Sequence, residues 1–506
     1  MAQAPETGLV DRASQTTAVP DFISGFCDPA RRRLLLIAAI LASAMGFIDG
    51  TVVAIAMPAM RETLGATLAQ AQWISNAYML TLSALILSGG AAGDRFGLAR
   101  VFSIGIAVFM AASLACAAAP SSGFLIAARA VQGFGAALMV PGSLALIARA
   151  YPEAERGRAI GIWAAASSLT TALGPVIGGA VLSFGGPEMW RAIFAVNLPI
   201  GIAALWLIRR AVNEDTGQPG QPIDYAGSVL AVLGLGLLAW SLSAGGSAAQ
   251  RLAFAASGLA ALTLFVRTER RAPAPMLDLT LFRNRSFSAA NLLTFCLYFA
   301  LSAILFFLPM TVIAAWGVTE LEATAAFAPL SVFIASLSST AGRLSDRFGP
   351  GPPIAAGSAL VALAYAGLGL TTHLMRFWDI VVPLMCLMGL GMSLVVAPLS
   401  AAVMQGIAEH RTGAASGVNN AVARIAGLVA VAAMGTVASV AYATVMVAVA
   451  PPDYAGPGSF GAPGTDPAHL AASNGAFAAV ALITALLATA SALIAWLGLD
   501  RRRRTA

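Results

Sequence analysis

Long apolar runs, one after another, decide what this chain can fold into. Fourteen can be drawn, at 34–57, 73–92, 101–118, 124–148, 159–182, 192–208, 226–244, 252–266, 287–314, 323–341, 354–372, 380–403, 414–447 and 471–499. An α-helix needs about 20 residues to cross a hydrocarbon core of about 30 Å, and most of the runs approach or exceed that length. Inside lipid the backbone must satisfy its own N–H and C=O groups, so runs of this kind are expected to be helices. Polar material is correspondingly scarce. Of 506 residues 29 are basic and 23 acidic, or 10% together, where a soluble chain carries roughly a quarter. That is too little to clothe a soluble surface this large, which excludes a soluble enzyme and a disordered chain.

Charge also orients the chain. All 29 basic residues are arginine. With residue 1 on the cytoplasmic side, 23 arginines fall on inner segments and four, Arg61, Arg191, Arg251 and Arg376, on outer ones. Arg129 and Arg424 fall inside apolar runs. The 23-to-4 excess follows the positive-inside rule. The net charge of +6 is therefore read as membrane orientation and not as affinity for nucleic acid, since the arginines are dispersed. Residues 1–33 are polar and end in Arg31, Arg32 and Arg33, which is not the pattern of a cleavable signal. An even number of spans places both termini in the cytoplasm. Cys27, Cys116, Cys296 and Cys386 are too widely spaced for a disulfide or zinc pattern.

The two halves repeat. Gly90-x-x-x-Asp94-Arg95-Phe96-Gly97 follows the second run, and Gly342-x-x-x-Asp346-Arg347-Phe348-Gly349 follows the tenth. Gly133-x-Gly135 returns as Gly389-x-Gly391, and Glu153, Gly157 and Gly161 return as Glu409, Gly413 and Gly417. The expected fold is an all-α polytopic membrane protein of two six-helix bundles in parallel pseudo-twofold repeat, with the seventh and eighth helices inserted between them. The divisions are a cytoplasmic tail at 1–33, a bundle at 34–208, a linker with the two extra helices at 209–286, a bundle at 287–499 and a basic tail at 500–506. Parallel repeats of this kind are a transporter architecture, with the site between the halves near the midplane.

Of the 23 acidic residues, 22 are placed in loops or tails, and the exception is Asp49. A charge at depth is costly and marks a functional site by default. Asp49 lies fifteen residues after Leu34, about 22 Å from the inner edge, and so about 8 Å from the outer edge of a core of about 30 Å. Arg129 lies five residues after Phe124 on a helix entering from outside, again about 8 Å deep. The two are expected to face one cavity, with direct contact open. Gln132 shares the Arg129 face, three residues on. Burial favours the protonated form of a carboxyl and a nearby cation the ionised form, so an acid held between them can exchange protons; a cationic or polar substrate would compete with that proton. The alternative is a structural ion pair. Arg424, about 15 Å deep and following Asn419 and Asn420, has no acidic partner in the sequence; it either meets an anionic group of a substrate or bonds to carbonyls. On the fifth run, Thr170-x-x-x-Gly174-Pro175-x-x-Gly178-Gly179 combines small residues that admit a neighbouring helix with a proline that bends its own.

These motifs resemble the major facilitator superfamily, and within it the fourteen-helix drug:proton antiporters of the EmrB/QacA type. The resemblance covers nearly the whole chain. It rests on Asp49-x-Thr51-Val52-Val53, Trp73-x-x-x-x-Tyr78-x-Leu80, the Gly90 to Arg100 turn, Leu125-x-x-x-Arg129-x-x-Gln132-Gly133, Thr170 to Gly179, Trp190-Arg191-x-x-Phe194-x-x-Asn197-x-Pro199 and Ser416-Gly417-Val418-Asn419-Asn420. Leu98 and Ala99 stand where the turn motif carries basic residues, Thr170 where the antiporter motif opens with Gly, and Met385 at the repeat position of Arg129.

The resemblance implies a proton-coupled efflux antiporter of amphipathic compounds, working by alternating access in the bacterial cytoplasmic membrane. It implies no cofactor beyond the proton motive force. The implied partners are an amphipathic small molecule, protons, the bilayer and, as an open question, a periplasmic adaptor protein. Asp49 would be the proton-coupling or cation-recognising acid and Arg129 its modulator, with Gln132, Tyr78, Asn419 and Arg424 completing the site. Gly90, Asp94, Arg95, Gly97 and Arg100, with Asp346 and Arg347, would gate the cytoplasmic side. Gly174, Pro175, Gly178 and Gly179 would form the face against which the halves rock. The alternatives are an exporter of one metabolite, lipid or siderophore, a symporter, and a non-transporting sensor. A membrane enzyme is disfavoured, because His373, His410 and His469 are far apart in the sequence.

Overall fold

The computed structural model describes residues 25–499 apart from 219, 221–222, 244–246, 273–274, 409–410 and 452. Most of both expected tails and the repeat residue Glu409 lie outside the described residues. Among the described residues, fourteen helices are long and apolar enough to cross a membrane. They are α1 (Pro29–Leu64), α2 (Leu68–Phe96), α3 (Leu98–Ala117), α4 (Ser122–Ala150), α5 (Glu153–Gly185), α6 (Pro187–Ala211), α7 (Tyr225–Leu242), α8 (Ala248–Glu269), α9 (Arg285–Val312), α10 (Glu320–Phe348), α11 (Gly351–Leu374), α12 (Phe377–Met404), α13 (Ala414–Val449) and α14 (Pro467–Gly498).

Local sequence sets where they begin and end. Thr67 with Gln70 and Ser247 with Gln250 form capping boxes at α2 and α8, satisfying N-terminal N–H groups that the helix leaves open. Gly97 and Gly349 occupy the same place in the two repeats, with φ of 104° and 81°. An L side chain is strained in that region, so glycine is what allows α2 to turn into α3 and α10 into α11. The short run at 252–266 extends to 22 helical residues because polar Gln250, Arg251 and Arg267 to Glu269 continue its ends.

Several placements differ from expectation. The sixth span breaks at Val196, and the tenth carries a 3-10 turn at Thr324–Ala326. Arg61, expected on an outer loop, is in the last turn of α1, 5% exposed. It donates through Nη1 to the Phe460 carbonyl at 2.7 Å and through Nε to Ala66 O at 3.2 Å. Glu269, expected in a loop, closes α8, is buried, and accepts from the Leu277 N–H at 2.8 Å.

Helices α1–α6 and α9–α14 form the two bundles. Between them, α2 packs against α13 on one side and α5 against α10 on the other. The repeat relates α2 to α10 and α5 to α13, so these two contacts are one contact seen twice. The inserted α7 and α8 pack on each other, and α7 covers the α2–α13 seam through Ala231, Leu235 and Ala239 against Leu80, Ala84, Leu428 and Ala432.

In the expected orientation the bundles touch at their outer ends, and toward the inner side they stay close along α2 and α13, where a Cβ on Gly417 would meet Leu87 at 3.1 Å, but not along α5. On the outer side the Leu321 N–H donates to Ser183 Oγ at 3.0 Å, and Gln72 Nε2 donates to Ala432 O at 3.1 Å. A Cβ on Gly179 would lie 2.7 Å from Glu320 O, whereas one on Gly161 meets nothing within 4 Å. These two glycines are eighteen residues apart, five turns, so they look the same way about 27 Å apart along α5. The same face of α5 is therefore sealed outside and open inside.

Candidate functional site

Five helices of the first bundle converge on one buried polar cluster. Arg129 Nη1 donates to Asp49 Oδ2 and to Gln132 Oε1, both at 2.6 Å. Gln132 Nε2 donates to Asp49 Oδ1 and to Ser113 Oγ, both at 2.9 Å. Asn197 Nδ2 donates to the same hydroxyl at 3.2 Å. Arg129 Nε donates to the Ile74 carbonyl at 3.2 Å. Thus α1 supplies the acid, α4 the cation and amide, α3 and α6 the flanking hydroxyl and amide, and α2 a backbone acceptor.

Close packing makes this geometry reachable. A Cβ on Gly133 would stand 2.3 Å from the Tyr78 carbonyl, so glycine there lets α2 lie directly on α4. Thr81 Oγ1 ties the same crossing by donating to Ala130 O at 2.8 Å. On the other flank of α1, a Cβ on Gly174 would come 2.2 Å from Thr51 Oγ1 and one on Gly178 2.3 Å from Val52 Cγ2. The small residues of α5 therefore seat it against α1 beside Asp49. This corrects the expectation that Gly174 and Gly178 form the face between the halves: they pack within their own bundle. Gly179 instead meets Glu320 and Thr324 of the second bundle.

The cluster is sealed. Asp49 is 1% exposed and Arg129 2%. The Arg129 guanidinium lies 4.3 Å from the Tyr78 ring centroid and 5.7 Å from that of Phe194, and such cation–π contacts gain when desolvated. The expectation that Asp49 and Arg129 face an open cavity is thereby corrected. They contact each other directly, and the Tyr78 and Phe194 rings cover the Arg129 guanidinium. Chemically the cluster is a carboxylate with both oxygens engaged by donors, opposite a cation whose loss of that carboxylate would leave it buried and unmatched.

Other expected site residues are not in this cluster. Asn419 donates to Asn291 Oδ1 at 3.2 Å and Thr294 Oγ1 at 2.9 Å, both on α9 of its own bundle. Arg424 lies on α13, its Nε donating to Asn420 Oδ1 at 2.9 Å. On the inner side, the turn from Gly90 to Arg100 is met by the linker. Gln218 N–H donates to Asp94 O at 2.8 Å, and Arg100 N–H donates to Asp215 Oδ2 at 2.7 Å. Asp215 thus serves as a cap for α3 supplied from 115 residues away, and it lies 3.7 Å from Arg149. In the second repeat, Asp346 is exposed and Arg347 lies over the Phe348 ring.

Sequence reasoning missed Ser113 and Ile74 altogether. Asn197 and Phe194 stood in a quoted motif, but nothing in their spacing assigned them to Asp49.

Comparison with known proteins gives a consistent picture. The family description Major Facilitator Superfamily matches residues 39–432. The methylenomycin A resistance protein of Bacillus subtilis is 36% identical over 412 residues, covering 80% of this chain and 87% of that protein. The multidrug resistance protein Stp of Mycobacterium tuberculosis is 33% identical over 80% of this chain and 75% of its own. The tetracenomycin C resistance and export protein of Streptomyces glaucescens is 30% identical over 79% and 74%. Among solved structures, a bacterial homolog of the human lysosomal transporter Spinster, inward-facing and unoccupied, superposes with a TM-score of 0.67 at 17% identity. It covers 93% of this chain and 97% of its own.

Proposed function

Because the chain belongs to the Major Facilitator Superfamily, a family of transporters and not of enzymes, we propose that it is a proton-coupled exporter of amphipathic, drug-like compounds working by alternating access. Relatives named for antibiotic resistance, multidrug resistance and export support the direction and the substrate class. The outer seal and inner opening support a cytoplasm-facing state of such a cycle. The arginine distribution supports a bacterial cytoplasmic membrane with both termini inside.

The observation that carries proton coupling is the sealed carboxylate of Asp49 with its Arg129 and Gln132 donors. In our reading a proton on Asp49 removes the counter-charge of Arg129. A buried cation without its partner is strongly unfavourable, so Arg129 has to re-seat, and its Nε bond to Ile74 and its stacking on Tyr78 carry that change into α2. Because α2 is also one of the two helices that join the bundles, protonation then biases which side of the protein is open. Coupling by this route is conformational and does not require a substrate to touch Asp49.

The test is efflux from everted vesicles under an imposed pH gradient. Asp49→Asn combined with Arg129→Met, which leaves no unmatched charge in the buried cluster, is expected to insert normally and to lose gradient-driven efflux, while exchange of substrate down its own gradient persists. Normal gradient-driven efflux by the variant would overturn the assignment. Relatives named for a single antibiotic favour a second reading, export of one metabolite; competition across a chemical panel separates the two, since a single-compound exporter is inhibited by its own substrate class alone.

A further inference from the structure

One charged group in the membrane takes no part in the Asp49 cluster. Arg424 lies ten residues after Ala414, the first residue of α13, about 15 Å along the axis and near the middle of a core of about 30 Å. That is too deep for its side chain to reach the headgroups by snorkelling. Its Nε is spent on Asn420 Oδ1. Among the described residues no carboxylate pairs with it, and the ionisable group within electrostatic reach is the Tyr78 hydroxyl. Nη1 and Nη2 are left without a protein acceptor.

The position faces the interior and not lipid. Helix α13 is packed by α2, α7, α9, α12 and α14. Gly427, three residues beyond Arg424, stands against Ser302 of α9 and Met79 of α2, which places this face of α13 at the gap between the bundles. Asn420, one turn nearer the start of α13, is exposed, while Gly417 on the same stripe stays close to Leu87 of α2. Tyr78, on the α2 face that Arg129 stacks on at 4.3 Å, belongs to the same helix as Met79.

The charges then decide what the gap can hold. Asp49 cannot recognise a cationic substrate from inside its sealed cluster, because both oxygens already accept hydrogen bonds and the side chain is buried. Arg424 contributes an unmatched positive charge at mid-depth, and a buried cation is retained where something pairs with it. A guanidinium with two free terminal nitrogens fits a planar anion through parallel hydrogen bonds.

We propose that Arg424 anchors the acid group of the transported compound, and that the exported compounds are amphipathic anions, carboxylates or anions of similar shape. This rests on the export reading above. Asn420 is a positioning residue that holds the Arg424 fork.

The experiment uses three ligands on one ring system: 9-anthracenecarboxylate, its methyl ester and 9-(aminomethyl)anthracene. Binding to the purified full chain in detergent is read by fluorescence anisotropy. The carboxylate is expected to bind about tenfold or more tighter than the ester, as a charge-assisted contact requires, with the amine weakest. Arg424→Gln is expected to erase the carboxylate preference while leaving ester affinity within about twofold, and Arg424→Lys to retain part of it. A wild-type protein that binds the carboxylate no better than the ester overturns the proposal, as does a preference that survives Arg424→Gln. The wild-type ranking decides even if that variant fails to fold. Export itself is read separately, as gradient-driven efflux of 9-anthracenecarboxylate by the wild-type chain: a carboxylate that binds with the expected preference but is not exported overturns the export reading, and one that is exported without that preference overturns the Arg424 assignment.

Discussion

Removing one member of the Asp49–Arg129 pair should be far worse than removing both. Both side chains are almost wholly buried, so Arg129→Met leaves a carboxylate in the bundle core with an amide as its remaining partner. The expected loss is about 3–5 kcal/mol of stability. Methionine is the informative replacement because Met385, buried at the equivalent place in the second bundle, shows that the position accepts it. Asp49→Asn combined with Arg129→Met should recover most of the loss while remaining uncoupled. Denaturant unfolding in micelles, arranged as a double-mutant cycle, checks this; equal stability of wild type and Arg129→Met would show that the pair contributes nothing. Asp49 and Arg129 were visible in the sequence because a charge inside an apolar run is conspicuous. Ser113 and Asn197 were not, because a lone neutral polar residue in a membrane helix is common, and nothing local says which helix it will face.

Between elements, glycines decide how closely the helices approach. A Cβ on Gly89 would lie 2.1 Å from the Ala137 carbonyl on α4, while one on Gly161 meets open space. Gly89→Ala is therefore expected to force α2 from α4 and to cost about 1–3 kcal/mol or more. Gly161→Ala should be neutral or gain several tenths of a kcal/mol from helix propensity, up to about 1 kcal/mol. Thermal unfolding of the two variants side by side tests the contrast, and equal effects would mean that the packing of α2 on α4 is not what these glycines serve. The α5 motif illustrates what a pattern conceals. Its spacing correctly marks a close helix contact, but spacing has no way to distinguish a neighbour in the same bundle from one across the interface, and Gly174 and Gly178 belong to the first kind.

At the scale of the whole molecule, the proposed alternating access requires the outer seal to open once per cycle. Ser183 and Leu321 lie on opposite bundles, and the 3.0 Å bond between Ser183 Oγ and the Leu321 N–H brings their α-carbons within disulfide range. Ser183→Cys with Leu321→Cys should stop transport on oxidation and recover on reduction, with either single variant unaffected despite the four native cysteines. Transport that continues with the bond formed would rule out opening at this seam. If Arg424 carries an anion outward while Asp49 carries a proton inward, two charges move per turnover. An inside-negative potential then contributes about 4.6 kcal/mol per 100 mV, twice the single-charge value. Flux measured with the potential clamped at zero and at a negative value reads that factor directly; insensitivity to potential would exclude it.

The sequence by itself determined the number of spans, and it carried the expectation of their orientation and of the twofold repeat. Each of these depends on features carried along the chain: run length against bilayer thickness, arginine against the two faces of the membrane, and glycine where φ must be positive. It also singled out the few charges that lipid does not tolerate. Only the tertiary structure decided what those charges do. Whether Asp49 faces a cavity or a sealed core, whether α5 leans on its own bundle or the other, and which side of the protein is open all depend on contacts between residues tens to hundreds of positions apart. Helix periodicity fixes which residues share a face, but packing among fourteen helices chooses what that face meets.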